Sequence, residues 1–290
     1  MTGTALADRP RVDTRTSTHP LSRVLRAGHP LVCGVLNVTP DSFSDGGRFH
    51  SFDRAVARGL ALAAEGADLI DVGGESTRPG SRPPTLAEEL GRVVPVVEAL
   101  VQRVPVPLSV DTSRPEVMRA AVAAGASMVN DVRALRSPGA LAAAAELGVP
   151  VCLMHMQRSP ETMQEDPRYR DVLVEVRTFL AERVRACLDA GIRQEHLVVD
   201  PGFGFGKTPA HNVALLASLD GLRRLGVPVM VGLSRKSVLG QLTGRAVGDR
   251  LPASLAAALL AAQRGAAVLR VHDVAATRDV LTVLDAVGPV

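Results

Sequence analysis

A series of polar residues in this chain stands directly after short apolar runs. In order they are Asn37, Gly73–Gly74–Glu75, Asp111, Asn130–Asp131, His155, Asp200, Ser234–Arg235–Lys236, and Arg270 with His272. A carboxylate or carboxamide in such a place either caps the next helix or meets a ligand. Asp111 separates the two cases. Ser113 and Glu116 have the spacing of a capping box for the following helix, which leaves Asp111 spare and points it to a ligand. Composition singles out some of the same positions. Of 33 basic residues only Lys207 and Lys236 are lysine, and the only asparagines are Asn37, Asn130 and Asn212. In a chain that uses arginine almost everywhere, a surviving lysine marks a place where a compact point charge works and a planar fork does not. No Ser–His–Asp or Cys–His pairing for nucleophilic catalysis is recognisable.

The elements that must carry these residues alternate. Apolar runs fall at Val32–Leu36, Leu69–Val72, Leu108–Val110, Met128–Val129, Val149–Met154, Leu197–Val199, Val229–Val231 and Val268–Leu269. Helical spacing falls near 53–65, 86–103, 114–124, 138–147, 171–190, 211–225, 253–264 and 274–287. Eight strand–helix units without a compositional break predict a single-domain (β/α)8 TIM barrel over 31–290, with a doubly wound sheet as the alternative. In a barrel, the residues that follow the strands share the C-terminal rim, where active sites are built. Residues 1–30 lack periodicity and read as a flexible lead-in.

Bulk properties narrow the class. The 290 residues are 46% hydrophobic and 22% charged, which suits a folded domain. No apolar stretch is long enough for a spanning helix and no secretory core opens the chain, so a cytoplasmic location is expected. Three scattered cysteines exclude a disulfide scaffold and read as small core residues. The net charge of +3 is dispersed and aromatics are only 2%, which argues against nucleic-acid binding.

Three glycine-bearing motifs follow strands. Pro201-Gly-Phe-Gly-Phe-Gly-Lys-Thr208 is one residue short of a Walker loop and fails the dinucleotide pattern, so its glycines instead let backbone pass close to a ligand held by Asp200. Asn37–Gly47 and Glu75–Gly80 are long, hydroxyl-bearing rim loops suited to act as lids. His155, between two methionines, reads as a packed histidine, and Tyr169 has no assigned role.

Taken together, the loops resemble dihydropteroate synthase. The segments that carry the resemblance are NVTPDSFSDGG (37–47), DVGGESTRPG (71–80), SVDT (109–112), Asn130–Asp131, MHM (154–156), DPGFGFGKT (200–208), SRKS (234–237) and RVHDV (270–274). They occur in family order and span about residues 31–287. The resemblance implies a (β/α)8 homodimer that joins 6-hydroxymethyl-7,8-dihydropterin diphosphate to p-aminobenzoate, releasing pyrophosphate, in a family targeted by sulfonamides. It implies a pterin pocket of Asp111, Asn130, Asp200 and Lys236, with Arg270 stacked on the ring. Asn37 is then the Mg2+ ligand. Arg270 and His272 lie on the diphosphate, with Ser76 or Thr77 near it. Phe43, Thr77, Arg78, Pro79 and Ser237 surround p-aminobenzoate, and Asp45 helps organise the closed state.

The residue chemistry is consistent with those roles. A pterin edge presents adjacent N–H donors, which one carboxylate such as Asp200 can accept twice. Lys236 suits a ring carbonyl and Asn130 offers both a donor and an acceptor. Cationic Arg270, with His272 beside it, stabilises charge on a departing diphosphate. An aromatic amine is neutral at pH 7 and needs no strong base. Arg158 stands where many members have glycine, so the loop after the fifth strand is expected to differ. One alternative is a pterin-binding methyltransferase domain, which would lack both lid sequences and sit beside a corrinoid module; another is a non-enzymatic binder, either a silent homologue that retains pterin or a nucleic-acid binder suggested by the pI.

Overall fold

In the computed structural model, residues 29–39, 48–76, 81–159 and 162–288 are described. Eight strands carry the fold: β1 (Leu31–Asn37), β2 (Leu69–Gly73), β3 (Leu108–Asp111), β4 (Met128–Asp131), β5 (Val151–Met154), β6 (Leu197–Asp200), β7 (Met230–Val231) and β8 (Val268–Val271). All pair in parallel, in the order β6-β5-β4-β3-β2-β1-β8-β7, and a parallel bridge from Val199 to Val229 joins the two ends. The molecule is therefore the (β/α)8 barrel expected, not a doubly wound sheet.

Helices return the chain between strands. They are α1 (Arg48–Ala64), α2 (Leu86–Val101), α3 (Pro115–Ala123), α4 (Ala140–Leu147), α5 (Val172–Asp189), α6 (Pro209–Ala217), α7 (Ser237–Thr243), α8 (Leu251–Gln263) and α9 (Val274–Val287). Residues Leu219–Leu225 form a 3-10 turn rather than the end of one long sixth helix. The short α7 lies in a stretch with no expected helix. Its seven residues run from Ser237 to Thr243, and Gly244 after them takes the left-handed conformation that stops a helix. Among the described residues, no helix is long and apolar enough to cross a membrane.

Strand alternation divides the core in two. Outward-facing Val32, Ile70, Val72, Val110, Val129, Val199, Leu269 and their neighbours pack against the helices. Inward-facing Leu31, Cys33, Leu69, Met128, Cys152, Val198, Met230 and Val268 fill the lower barrel as a separate buried cluster. All three cysteines are buried and unbonded, as core residues should be.

Caps fix the returns. Thr85 and Glu88 close a capping box on α2, with Oε2 of Glu88 accepting from the Thr85 N–H at 2.6 Å. The capping box expected from Ser113 and Glu116 does not form. The cap position of α3 is Arg114, and the Ser113 hydroxyl instead donates to Asp131. Asp131 also accepts the N–H groups of Arg133 (2.8 Å) and Leu135 (2.7 Å). These bonds hold a turn in which Ala134 and Leu135 both take left-handed φ values of 53° and 57°. Arg158 also adopts a left-handed φ of 62°, which is why glycine suits that position, and its guanidinium donates to the Glu165 carbonyl at 2.6 Å.

Asp131 is thus a buried structural carboxylate. Replacing it with alanine strands one hydroxyl and two backbone donors, and should cost about 3 kcal/mol of stability in a denaturant titration. A loss below about 0.5 kcal/mol would show that the turn does not depend on it.

Candidate active site

The strand period that fills the lower barrel also builds the site. Two residues above the inner Leu69, Ser109, Met128, Val198 and Val268 stand Asp71, Asp111, Asn130, Asp200 and Arg270, and register pairs Asp71 with Ser109 and Asp111 with Asn130. Side chains two apart on a strand share a face. The upper inner layer is therefore charged, directly above an apolar one.

Arg270 ties this layer together. Its Nε donates to Oδ2 of Asp71 at 2.7 Å and a terminal nitrogen donates to Oδ2 of Asp111 at 2.8 Å. Asn130 Nδ2 donates to the same Asp71 oxygen at 2.9 Å. Asp71 is 1% exposed and Arg270 19%, so the cluster opens only upward, towards the rim. Asp111, expected as a spare carboxylate, is in fact one arm of this bridge. Burial pushes its pKa up, against the opposing pull of Arg270. Burial also works against the Arg270 charge, but Asp71 and then Asp111 outweigh it and hold the guanidinium above its ordinary range. Guanidinium hydrogen bonds lie in its plane, so two carboxylates fix that plane and leave its face free to stack.

Asp200 and Lys236 complete the ring. Asp200 Oδ1 accepts the Gly202 N–H at 2.6 Å. Burial pushes this carboxyl up as well. Lys236 Nζ sits 4.0 Å over the Phe205 ring, a cation–π contact. Burial, then Arg270, lowers its pKa to about 8. Two glycines keep the mouth hollow. A Cβ on Gly73 would stand 3.7 Å from Asp111 Oδ2 and 3.9 Å from Asn37 Oδ1, and one on Gly232 would stand 4.0 Å from Asp200 Oδ2.

The remaining candidates sit around this layer. Asn37 ends β1 half-buried, and no described side chain engages its carboxamide. His272 follows β8, with Nδ1 3.1 Å from the Ser234 hydroxyl. Burial, then Arg270, lowers its pKa to about 4. At neutral pH it therefore offers a neutral ring beside the Arg270 charge. Ser237 is exposed at the start of α7, and Ser76 pairs with Ser81 at 2.9 Å. Phe43, Asp45, Thr77, Arg78 and Pro79 lie outside the described residues. A cavity of about 330 Å3, lined by Glu75, Ser113, Arg114 and Arg133 among others, includes none of the ring residues.

Asp71 and Phe205 are the site residues that sequence reasoning left without a role. A carboxylate in the middle of an apolar strand, two residues from Leu69, was the available signal for Asp71. The loop carrying Phe205 cannot hold a phosphate with its lysine. Lys207 is buried and gives its protons to His155 Nδ1 (2.9 Å), the Gly202 carbonyl (2.9 Å) and the Phe205 carbonyl (3.0 Å). His155 is the packed histidine expected, edge-on to Phe179 at 4.9 Å. Burial, then Lys207, keeps it neutral, its pKa lowered to about 2.

The fold and site define a (β/α)8 enzyme whose rim presents carboxylates, a carboxamide and two cations to a flat polar ligand. Residues 33–272 match the pterin-binding enzyme family. The chain is 53% identical to dihydropteroate synthase of Escherichia coli K12, over 90% of this chain and 93% of that protein. Dihydropteroate synthase of Xanthomonas albilineans, solved with 4-aminobenzoic acid, superposes with a TM-score of 0.86 at 60% identity, covering 90% of this chain and 94% of that one. The Yersinia pestis enzyme, solved in a sulfonamide drug complex, gives 0.85 at 49% identity over 89% and 94%. The chain belongs to the dihydropteroate synthases among the pterin-binding enzymes, and is a transferase.

Lys207 gives the site a measurable pH signature. Burial lowers its pKa from 10.5 to about 7. Between those values the unfolded chain binds more protons than the folded one, so stability gained from this group rises with pH. The stability difference between wild type and Lys207→Met should therefore grow from about pH 7 towards pH 10, by at most about 1.4 kcal/mol per unit. A flat difference in paired denaturation curves would contradict it.

Proposed function

We propose that the enzyme condenses 6-hydroxymethyl-7,8-dihydropterin diphosphate with p-aminobenzoate to give 7,8-dihydropteroate and pyrophosphate. The observation that carries this reading is the single upper layer in which Asp111, Asn130, Asp200 and Arg270 converge, with Lys236 at its edge. A Xanthomonas albilineans relative, 58% identical, is solved with 7,8-dihydropteroate.

In this reading Asp200 accepts paired N–H groups of the pterin edge through the oxygen that Gly202 leaves open. Asn130, already donating to Asp71, turns its carbonyl to the ring, and Lys236 meets the ring carbonyl. Arg270 stacks on the heterocycle by the face its two carboxylates leave free, and its charge favours the departing diphosphate. The diphosphate leaves first, the ring spreads the positive charge, and the neutral amine then attacks the exocyclic carbon and gives up one proton to water. The rim loops over 37–47 and 75–80 exclude water, because hydrolysis of the cationic ring competes.

Asn37 is the chain's ligand for Mg2+. Its carboxamide oxygen is a hard donor that no described side chain engages, and among the described residues no cluster of three His, Cys, Asp or Glu holds a metal by itself. A single protein oxygen fits an ion whose other ligands are diphosphate oxygens and water. When bound, Mg2+ neutralises charge on the leaving group. Phe43, Thr77, Arg78, Pro79 and Ser237 are assigned to p-aminobenzoate, Asp45 to the closed state, and Thr77 or Ser76 with neutral His272 to the diphosphate. We further assign a cytoplasmic homodimer, with residues 1–30 as a lead-in to the barrel. Sulfonamides are expected to compete with p-aminobenzoate.

Pyrophosphate release should require the pterin diphosphate, p-aminobenzoate and Mg2+ together. Chelation should abolish it and added Mg2+ restore it. Asp200→Asn should lower kcat/KM by at least about 30-fold, the equivalent of about 2 kcal/mol. Near-normal turnover by that variant, or release without p-aminobenzoate at the full rate, would overturn the assignment.

A further inference from the structure

We infer that Lys207 is a positioning residue for the pterin site, acting through Gly202 on Asp200 and through Phe205 on Lys236. This rests on the pterin reading of that site.

The Lys207 ammonium has three protons and meets three acceptors, all between 2.9 and 3.0 Å: His155 Nδ1 and the carbonyls of Gly202 and Phe205. Its side chain is nearly sealed, at 3% exposure. Each anchored point is one step from a site group. The N–H of Gly202 is the bond that orients Asp200. The ring of Phe205 lies under the Lys236 ammonium at 4.0 Å. The third anchor, His155, fixes the clamp to β5, because its own N–H donates to the Asp200 carbonyl at 2.9 Å and its ring is wedged against Phe179. One buried ammonium therefore sets the loop that holds both an acceptor and a cation of the pocket.

The loop is shaped for this clamp. Gly202 has a left-handed φ of 68°, and a Cβ there would fall 1.9 Å from the His155 carbonyl oxygen, so only glycine allows the approach. Tyr169 braces the far side, donating from its hydroxyl to the Gly206 carbonyl at 2.8 Å. Asn212 accepts the Gly204 N–H at 2.8 Å and donates to the Thr208 carbonyl at 2.8 Å. Three acceptors within 3.0 Å of one nitrogen match the three donors of an ammonium and not a planar guanidinium. That accounts for a lysine here in a chain whose only other lysine is Lys236.

The lysine count makes the test direct. With only Lys207 and Lys236 present, an untagged chain labelled with 13C-lysine shows two side-chain spin systems. The Lys236 methylene beside the ammonium should be shifted upfield by the Phe205 ring. In Lys207→Met the single remaining signal should move back towards its unstacked position. Calorimetric affinity for 6-hydroxymethylpterin should fall roughly tenfold, the scale of a small displacement at a binding site, while Lys207→Arg fails to restore it. Should Lys207→Met not fold, Lys207→Gln takes its place. It is uncharged and cannot reach all three acceptors, and it should give the same two losses in smaller measure. An unmoved Lys236 signal with pterin affinity within about twofold of wild type, in whichever variant folds, overturns the inference. If wild type itself fails to bind 6-hydroxymethylpterin, the pterin reading falls, and the Lys236 signal alone then decides whether Lys207 places that cation.

Discussion

The site depends on one buried guanidinium held between two carboxylates. Asp71 comes from β2, Asp111 from β3 and Arg270 from β8, and the pairing of β8 beside β1 brings the guanidinium within reach of both carboxylates. Without the cation, two carboxylates would face each other in a low-dielectric interior, which strongly disfavours ionising both. With it, each partner fixes the others. Buried ion clusters seldom add net stability, because desolvation offsets the attraction. Asp71 Oδ1 and Ser109 Oγ, neighbours in register, are even buried without a partner among the described residues. What the cluster supplies is a fixed geometry before any ligand arrives, so little reorganisation is needed at the moment of reaction.

A strand repeat of two does the placing. The lower inner layer is hydrocarbon and sulfur, from Leu69, Met128, Val198 and Val268 among others. Moving up by two residues on the same strands reaches Asp71, Asn130, Asp200 and Arg270. The apolar floor excludes water from below and the glycines at 73 and 232 leave space above. The loops that follow then need only complete a pocket whose polar groups are already aimed, which is the general division of labour in barrels of this kind.

Much of this was legible in the residues. The eight apolar runs correspond to the eight strands, and the polar residues after them do share one rim. The motif 201–208 failed the phosphate-loop spacing, and Lys207 is indeed spent on internal acceptors. Other features were hidden because they depend on contacts between distant strands. Asp71 looked like the first letter of a loop motif, and only register shows it as the acceptor shared by Arg270 and Asn130. Ser113 and Glu116 had capping-box spacing, but Asp131 from the next strand competes for the hydroxyl and wins it. The charge state of His272 follows from burial next to Arg270, which spacing alone does not reveal.

The upper layer is one coupled unit, not a set of independent contacts. A double-mutant cycle between Asp71→Asn and Arg270→Met, read as calorimetric affinity for 6-hydroxymethylpterin, tests it most directly. Coupling predicts that the double variant binds little worse than the weaker single variant, with an interaction energy above about 1 kcal/mol. Losses that simply add would contradict the account.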